Sequence, residues 1–382
     1  MSKILPWILT LSILIGQLVK IPISTHGGLT LLDITVIILC FWGVFSSGLR
    51  LKKPPNWIVA FFVFIGVAFI SLLFTPIYLS SIEYFISGSY IVRLFLYIFL
   101  GWLVYSDALP SIKKNTYNIL FISGAVLAIL GLLQLIFLPD LRFLTRYGWD
   151  PHYFRNASTF LDPNFLGSYL VLTLILWYQN FAIAKKWYLY LGVVVYIALL
   201  TTFSRGAYLG FAVGFLTLSI LNKSFRLGIV TILLFLGLLI GFFSYQKLVA
   251  QPRGIDRAES AEFRLSTWKQ GLKLFQTHPF LGVGFNAYRY AIREYNLGDL
   301  EFLQSHGSST NDSSLLYVAA TTGVLGLIAY LSFLVSLIFT GFKGKILVAG
   351  LAGIFSQSFF ANTLFYPFIL IWIILMAAIH KK

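Results

Sequence analysis

Long runs of apolar residues alternate with short polar breaks along most of this 382-residue chain. A helix needs roughly 20 apolar residues to cross a bilayer, within a range of about 17 to 25. Twelve runs approach or reach that length: residues 4–19, 29–46, 57–74, 82–105, 117–137 and 165–184 in the first half, and 187–203, 207–221, 227–245, 314–342, 346–361 and 365–379 in the second. They are apolar throughout rather than at every other position, which predicts helices and argues against the strands of a β-barrel. The run 4–19 follows Lys3 as a signal peptide would, but no small-residue cleavage site follows, so it reads as a retained first helix.

Two segments, 138–164 and 246–313, interrupt this rhythm of spans and short turns. In the second, Leu265, Trp268, Leu272 and Phe275 recur at i, i+3, i+7 and i+10, an apolar stripe on one face of a helix that Pro279 should end. That pattern predicts a helix lying on the outer membrane surface. The expected organisation is therefore all-α and polytopic, with about twelve transmembrane helices: 1–245 for the first nine, 246–313 for a large extracytoplasmic loop containing short helices, and 314–382 for the last three. No internal repeat or low-complexity tract is visible.

Composition agrees with a membrane protein. Hydrophobic residues make up 58% of the chain and charged residues 11%, at a mean hydropathy of +0.86, against roughly 45 to 50% and 25% in soluble domains. The net charge of +15 would suggest a nucleic-acid partner in a soluble protein, but here its distribution is topological. Lys3, Lys52, Lys53, Lys113, Lys114, Lys185, Lys186, Lys223, Lys343, Lys345, Lys381 and Lys382, with Arg50 and Arg226, occupy the termini and the breaks that twelve spans place on one side. This is the positive-inside pattern, and it puts both termini in the cytoplasm. The single cysteine, Cys40, lies inside an apolar run and suggests a buried thiol without chemistry.

The arginines sort differently. Arg93, Arg142, Arg146, Arg155, Arg205, Arg253, Arg257, Arg264, Arg289 and Arg293 fall on the opposite side or within spans. Arginine never loses its charge and grips phosphate through a planar fork. The histidines, His26, His152, His278, His306 and His380, are scattered, with no HExxH, paired-cysteine or DxD spacing, so no metal or cofactor motif is legible. Gly282-Val283-Gly284 alone is too short for a phosphate cradle.

Three constellations on the arginine side carry a family resemblance. Arg155-Asn156-Ala157-Ser158-Thr159-Phe160-Leu161-Asp162-Pro163-Asn164 resembles the segment of the O-antigen ligase and polymerase superfamily in which a Pro-Asn pair opens a span. Thr202-Phe203-Ser204-Arg205-Gly206 is similar to its Ser-Arg-Gly step between two spans. Arg264, Trp268, Pro279, Gly282 and Gly284, followed by Asp312-Ser313-Ser314-Leu315 and Gly323-Val324-Leu325-Gly326, resemble its large outer loop and following helix. Ligases of the family carry His-Asn at the end of this loop, ten residues separating the Asn from the first Gly of the next helix. Counting back from Gly323 gives Ser313, so Asp312 stands where the His would be, with His306 nearby as a substitute.

The resemblance implies a GT-C type membrane glycosyltransferase at the outer face of a bacterial inner membrane, without metal or cofactor. The donor would be a polyprenyl-diphosphate-linked oligosaccharide and the acceptor a glycan or lipid, in O-antigen, lipopolysaccharide or other surface-polysaccharide assembly. Bottom-up chemistry asks for the same parts: cations to neutralise a departing diphosphate and a base to activate the attacking hydroxyl. Arg205, Arg264, Asp312 and His306 are the catalytic candidates, and Arg155, Asn164, Arg257, Arg289 and Arg93 the substrate-binding ones.

Plainer readings stand beside these. Arg205 snorkels to lipid headgroups, Arg264 pairs with Glu259 or Glu262, Asp312 and Asn164 merely cap helices, and Arg93 forms an intramembrane ion pair with Asp33 or Glu83. A twelve-span secondary transporter or lipid-linked glycan flippase is the rival function. The lack of repeated halves and the one large loop argue against it.

Overall fold

A computed structural model describes residues 3–22, 28–48, 50–181, 186–253, 259–299, 302–303, 306–341 and 344–380. Every one of the twelve apolar runs is helical: α1 (Leu5–Ile15), α2 (Leu31–Ser47), α3 (Asn56–Leu73), α4 (Ser81–Tyr105), α5 (Pro110–Phe137), α6 (Pro163–Phe181), α7 (Lys186–Leu200), α8 (Arg205–Leu221), α9 (Phe225–Tyr245), then α12 (Ser314–Gly341), α13 (Lys345–Gln357) and α14 (Pro367–Ile379). Between α9 and α12 lie α10 (Glu259–Thr277) and α11 (Tyr288–Glu294). Among the described residues five helices, α3, α4, α5, α9 and α12, are long and apolar enough to cross a membrane, and six more apolar helices are shorter. One departure from an all-α fold is a small antiparallel hairpin, β1 (Lys20–Pro22) with β2 (Gly28–Thr30).

Burial separates two kinds of apolar helix. In α14 every residue from Phe368 to Ala378 is buried, as expected of a helix that is hydrophobic all round and sits at the centre of a bundle. In α9, Ile232, Leu233, Leu236, Ile240 and Phe243 are exposed, an apolar surface that water would not tolerate and lipid would. The helix α5 starts seven residues before the apolar run because Pro110 pre-sets its first turn, so Lys113 and Lys114 sit on the helix rather than in a loop.

The run 314–342 is interrupted where a single straight span was expected. At Gly323 the backbone leaves the helical region (φ 64°, ψ −165°), and a Cβ there would lie 2.2 Å from the carbonyl oxygen of Phe280. The backbone groups freed by the break are taken up by the segment after α10: Val324 N donates to Pro279 O (2.8 Å), Val283 N to Ala320 O (2.9 Å) and Gly284 N to Thr321 O (3.1 Å). Irregular backbone inside a helical bundle is tolerated where neighbouring protein satisfies it in this way.

The connections group at two ends. At one, Gln17 N donates to Thr159 O (2.9 Å) and Asn156 N to Thr201 O (2.9 Å), which joins the turns after α1, α5 and α7, and Ser314 N donates to Ser358 O (2.9 Å), which joins the segment after α11 to the turn after α13. At the other, Trp102 Nε1 donates to Lys52 O (2.9 Å) and Lys345 Nζ to Asn222 Oδ1 (2.8 Å). The first end carries the arginine-rich segments and the second the lysine-rich turns.

Candidate functional site

The segment 138–162 is folded back onto the helix ends by side-chain anchors. Tyr245 Oη donates to Tyr153 O (2.8 Å) and Arg155 Nε to Thr202 O (2.9 Å). This brings Asp150, His152 and Asp162 together, one ligating atom of each within 4.8 Å of the others. Asp150 and Asp162 each precede a proline, which holds them in extended backbone at the mouths of their turns. Asp162 Oδ1 accepts from Asn164 N (2.6 Å) and Phe165 N (3.4 Å) and so caps α6.

A third carboxylate joins them from the end of the 246–313 segment. Asp312 Oδ2 accepts from Thr267 Oγ1 of α10 (3.2 Å). Asn311 beside it is fully buried, its Nδ2 donating to Thr267 O and to Tyr288 Oη (2.9 Å) and its Oδ1 accepting from Ser313 N (2.9 Å). The helix cap of α12 is Ser313, whose Oγ accepts from Leu316 N (3.4 Å). The capping reading of Asp312 is thereby corrected: a cap must meet backbone N–H groups of the first turn, and it is Ser313 that does so.

All three carboxyls are held above the usual carboxylate range. For Asp150 the cause is surrounding protein, then Asp312, opposed by Arg155 and Arg264. Its side chain is nonetheless open to solvent, which places it in a concavity rather than in the interior. For Asp162 the cause is burial, then Asp150, opposed by the capping amide of Asn164 and by Arg155. For Asp312 it is burial, opposed by Arg264 and the Thr267 hydroxyl, with Asp162 adding to it. Charges that shift one another's ionisation share one site.

The arginines sit around it. Arg155 is buried, with its Nη1 3.4 Å from His152 Nδ1. Arg264 lies on the first turns of α10, and Arg205 opens α8, exposed and 5.5 Å from the centroid of the Phe242 ring, within electrostatic reach of Arg264. Asn164 does not cap α6; its Oδ1 accepts from Ser204 Oγ (2.8 Å) and ties the start of α6 to the start of α8. Helix α10 packs Thr267 and Leu274 inward and leaves Leu265 and Leu272 exposed.

Arg205, Arg264, Asp312, Arg155 and Asn164 thus converge, whereas Arg93 and Arg289 stand apart. Arg93 pairs with Asp33 (2.8 Å) and donates to Gly28 O (2.9 Å); Glu83 instead pairs with Arg293 (2.9 Å). Arg289 Nε donates to Ser308 Oγ (2.7 Å), and burial lowers its pKa to about 10. Arg257 and the side chain of His306 lie outside the described residues. Sequence reasoning passed over Asp150 and Asp162 as site residues; the signal was two Asp-Pro steps flanking Arg155 in the only long break of the first half. It also found no metal-ligand spacing, because Asp150, His152 and Asp162 become a ligand-like group only through folding. Such a group has the donor set for a divalent cation or for a shared proton.

Comparison with known proteins gives two matches. Residues 187–331 match the family model described as O-antigen ligase, a stretch that includes Arg205, Arg264 and Asp312 and excludes Asp150, Asp162 and Arg93. A protein described as an uncharacterized 49.5 kDa protein in the cps region of Klebsiella pneumoniae is 27% identical over 303 residues. That match covers 74% of this chain and 66% of the other protein, so the chain spans about two thirds of the relative's length.

Proposed function

We propose that this protein, of the O-antigen ligase and polymerase family, transfers a glycan from a polyprenyl diphosphate to a sugar or lipid acceptor. In this reading twelve helices of a GT-C type cross the bacterial inner membrane, both termini are cytoplasmic, and the end bearing the 246–313 segment faces outward. The observation that carries it is the convergence of Asp312, Arg264 and Arg205 from separate parts of the chain at one end of an apolar bundle.

The roles follow from charge. Asp312 takes the proton of the acceptor hydroxyl; its raised pKa makes it a stronger base than an ordinary carboxylate. The hydroxyl oxygen bonds to the anomeric carbon while that carbon's bond to the diphosphate oxygen breaks. The electron pair leaves with the diphosphate, where Arg205 and Arg264 neutralise it. The exposed position of Arg205 next to the outward-facing α9 gives the polyprenyl chain a route into lipid. Arg155 and Asn164 hold the two turns in place, and His306 and Arg257 belong to the same segment.

The test is to incubate purified protein with a polyprenyl-diphosphate oligosaccharide and measure released polyprenyl diphosphate. Release with an elongated glycan identifies a polymerase, and release with transfer to a different molecule a ligase; no release means that the transfer reading is wrong and favours a transporter or flippase. Activity is expected to survive EDTA. Loss on chelation, restored by magnesium or manganese, would instead assign the Asp150, His152 and Asp162 group to a cation.

A further inference from the structure

A cavity of about 220 Å³ lies beside the carboxylate cluster, where the hairpin, α4, α12 and α14 meet. Its wall combines the cations Lys20 and Arg93 with Tyr90, Tyr366, Asn286 and Asn362. Asn362 is 9% exposed and its Oδ1 has no hydrogen-bond partner among the described residues. A buried amide oxygen left in this state costs free energy unless something else meets it. Aromatic rings with amides at their edges suit a sugar ring, which offers C–H faces and hydroxyls. The volume falls below the roughly 300 to 1,000 Å³ of sites for drug-sized ligands, which fits one ring rather than a long chain.

Charge narrows the class further. Arg93 is neutralised by Asp33, so of the two cations Lys20 is left as the surplus. One surplus positive charge matches a single carboxylate and falls short of a diphosphate.

Position gives the role. Two chain segments contribute to both places: Phe165 lines the cavity three residues after Asp162, and Thr310 lines it two residues before Asp312. A third touches the cavity through Lys20, whose Nζ lies 6.0 Å from the centroid of the Trp149 ring, next to Asp150 of the cluster. Phe165 and Tyr366, both in the cavity wall, stack with ring centroids 4.0 Å apart, and Tyr366 is within electrostatic reach of Asp162. The cavity and the carboxylates are therefore neighbours, and Arg205, assigned to the diphosphate, does not line the cavity.

We propose that the cavity receives one sugar ring of the acceptor glycan and selects a ring bearing a carboxylate, read by Lys20 and Asn362. This rests on the transfer reading above for its role, but binding tests it independently. Purified full-length protein in nanodiscs is titrated with a glucuronate-containing oligosaccharide and with its glucose counterpart. The acidic sugar is expected to bind about ten- to hundredfold more tightly, as a charge-assisted hydrogen bond would give. Lys20→Gln is expected to abolish that preference while leaving the weaker binding of the neutral sugar. Equal affinities, a preference that survives Lys20→Gln, or displacement of the acidic sugar by equimolar inorganic phosphate would each overturn the assignment. Preferential binding without any glycan transfer would leave the cavity standing and sink the transfer reading.

Discussion

Asp107 at the lysine-rich end of the bundle and Asp312 at the other end carry the same side chain under opposite conditions. Asp107 lies between Lys113 (2.7 Å) and Lys52, largely in water, and hydrogen bonds from these two lysines lower its carboxyl to about 2. Asp312, Asp162 and Asp150 are crowded by protein and by one another, and their carboxyls are raised despite nearby arginines. One end thus spends its charges on ion pairs that exposure makes weak. The other gathers three carboxylates whose ionisation their surroundings oppose. Groups whose environments push their ionisation away from normal are where chemistry is sought.

The largest effect that would test this contrast is at Asp312. Asp312→Asn keeps an acceptor for Thr267, leaves the Ser313 cap untouched and removes a charge that burial opposes, so melting temperature should hold or rise while transfer falls about 10²- to 10⁴-fold, the usual contribution of a general base. In the unaltered protein, activity should fall as pH drops through the raised pKa of Asp312, because only the deprotonated carboxylate accepts the proton. A well-folded Asp312→Asn with full turnover would move the role to His306. Arg205→Ala and Arg264→Ala should each slow turnover about ten- to hundredfold, the value of a charge-assisted contact of roughly 1.5 to 3 kcal/mol. Lysine at either position should restore only part, since it keeps charge without the planar fork. Normal rates in both alanine variants would dissolve the distinction between the two ends.

The smallest effects concern stability. Because the Asp150 carboxyl is raised in the fold, its stability contribution is fully present at low pH and is lost as pH rises from the unfolded carboxylate pKa through the folded one. Asp150→Asn should therefore raise the melting temperature slightly near pH 8, because the side chain is exposed, and leave it unchanged near pH 4. Asp107 has the reverse sign: its stabilisation is present above the unfolded pKa and fades as pH falls towards 2. Asp107→Asn should cost no more than about 1 kcal/mol, since the pair is exposed. Parallel thermal melts of both variants across pH would expose any error in these signs.

Hydrophobic run length by itself determined the helices, because a segment of about 20 apolar residues has few alternatives to helix. It missed the polar first turns of α5, where Pro110 starts a helix that an apolar run cannot register, and the break at Gly323 in α12, which depends on contacts with Phe280 and its neighbours in a distant stretch of chain. The family motifs likewise brought Arg205, Arg264 and Asp312 to attention one by one. Only tertiary structure decided that these meet Asp150 and Asp162, that Arg93 belongs to Asp33 and a separate cavity, and that Ser313 rather than Asp312 caps its helix. The physical reason is that an apolar pattern reports each segment's preference for lipid or core. Ionisation and hydrogen bonding depend on which neighbours the fold brings within a few ångströms.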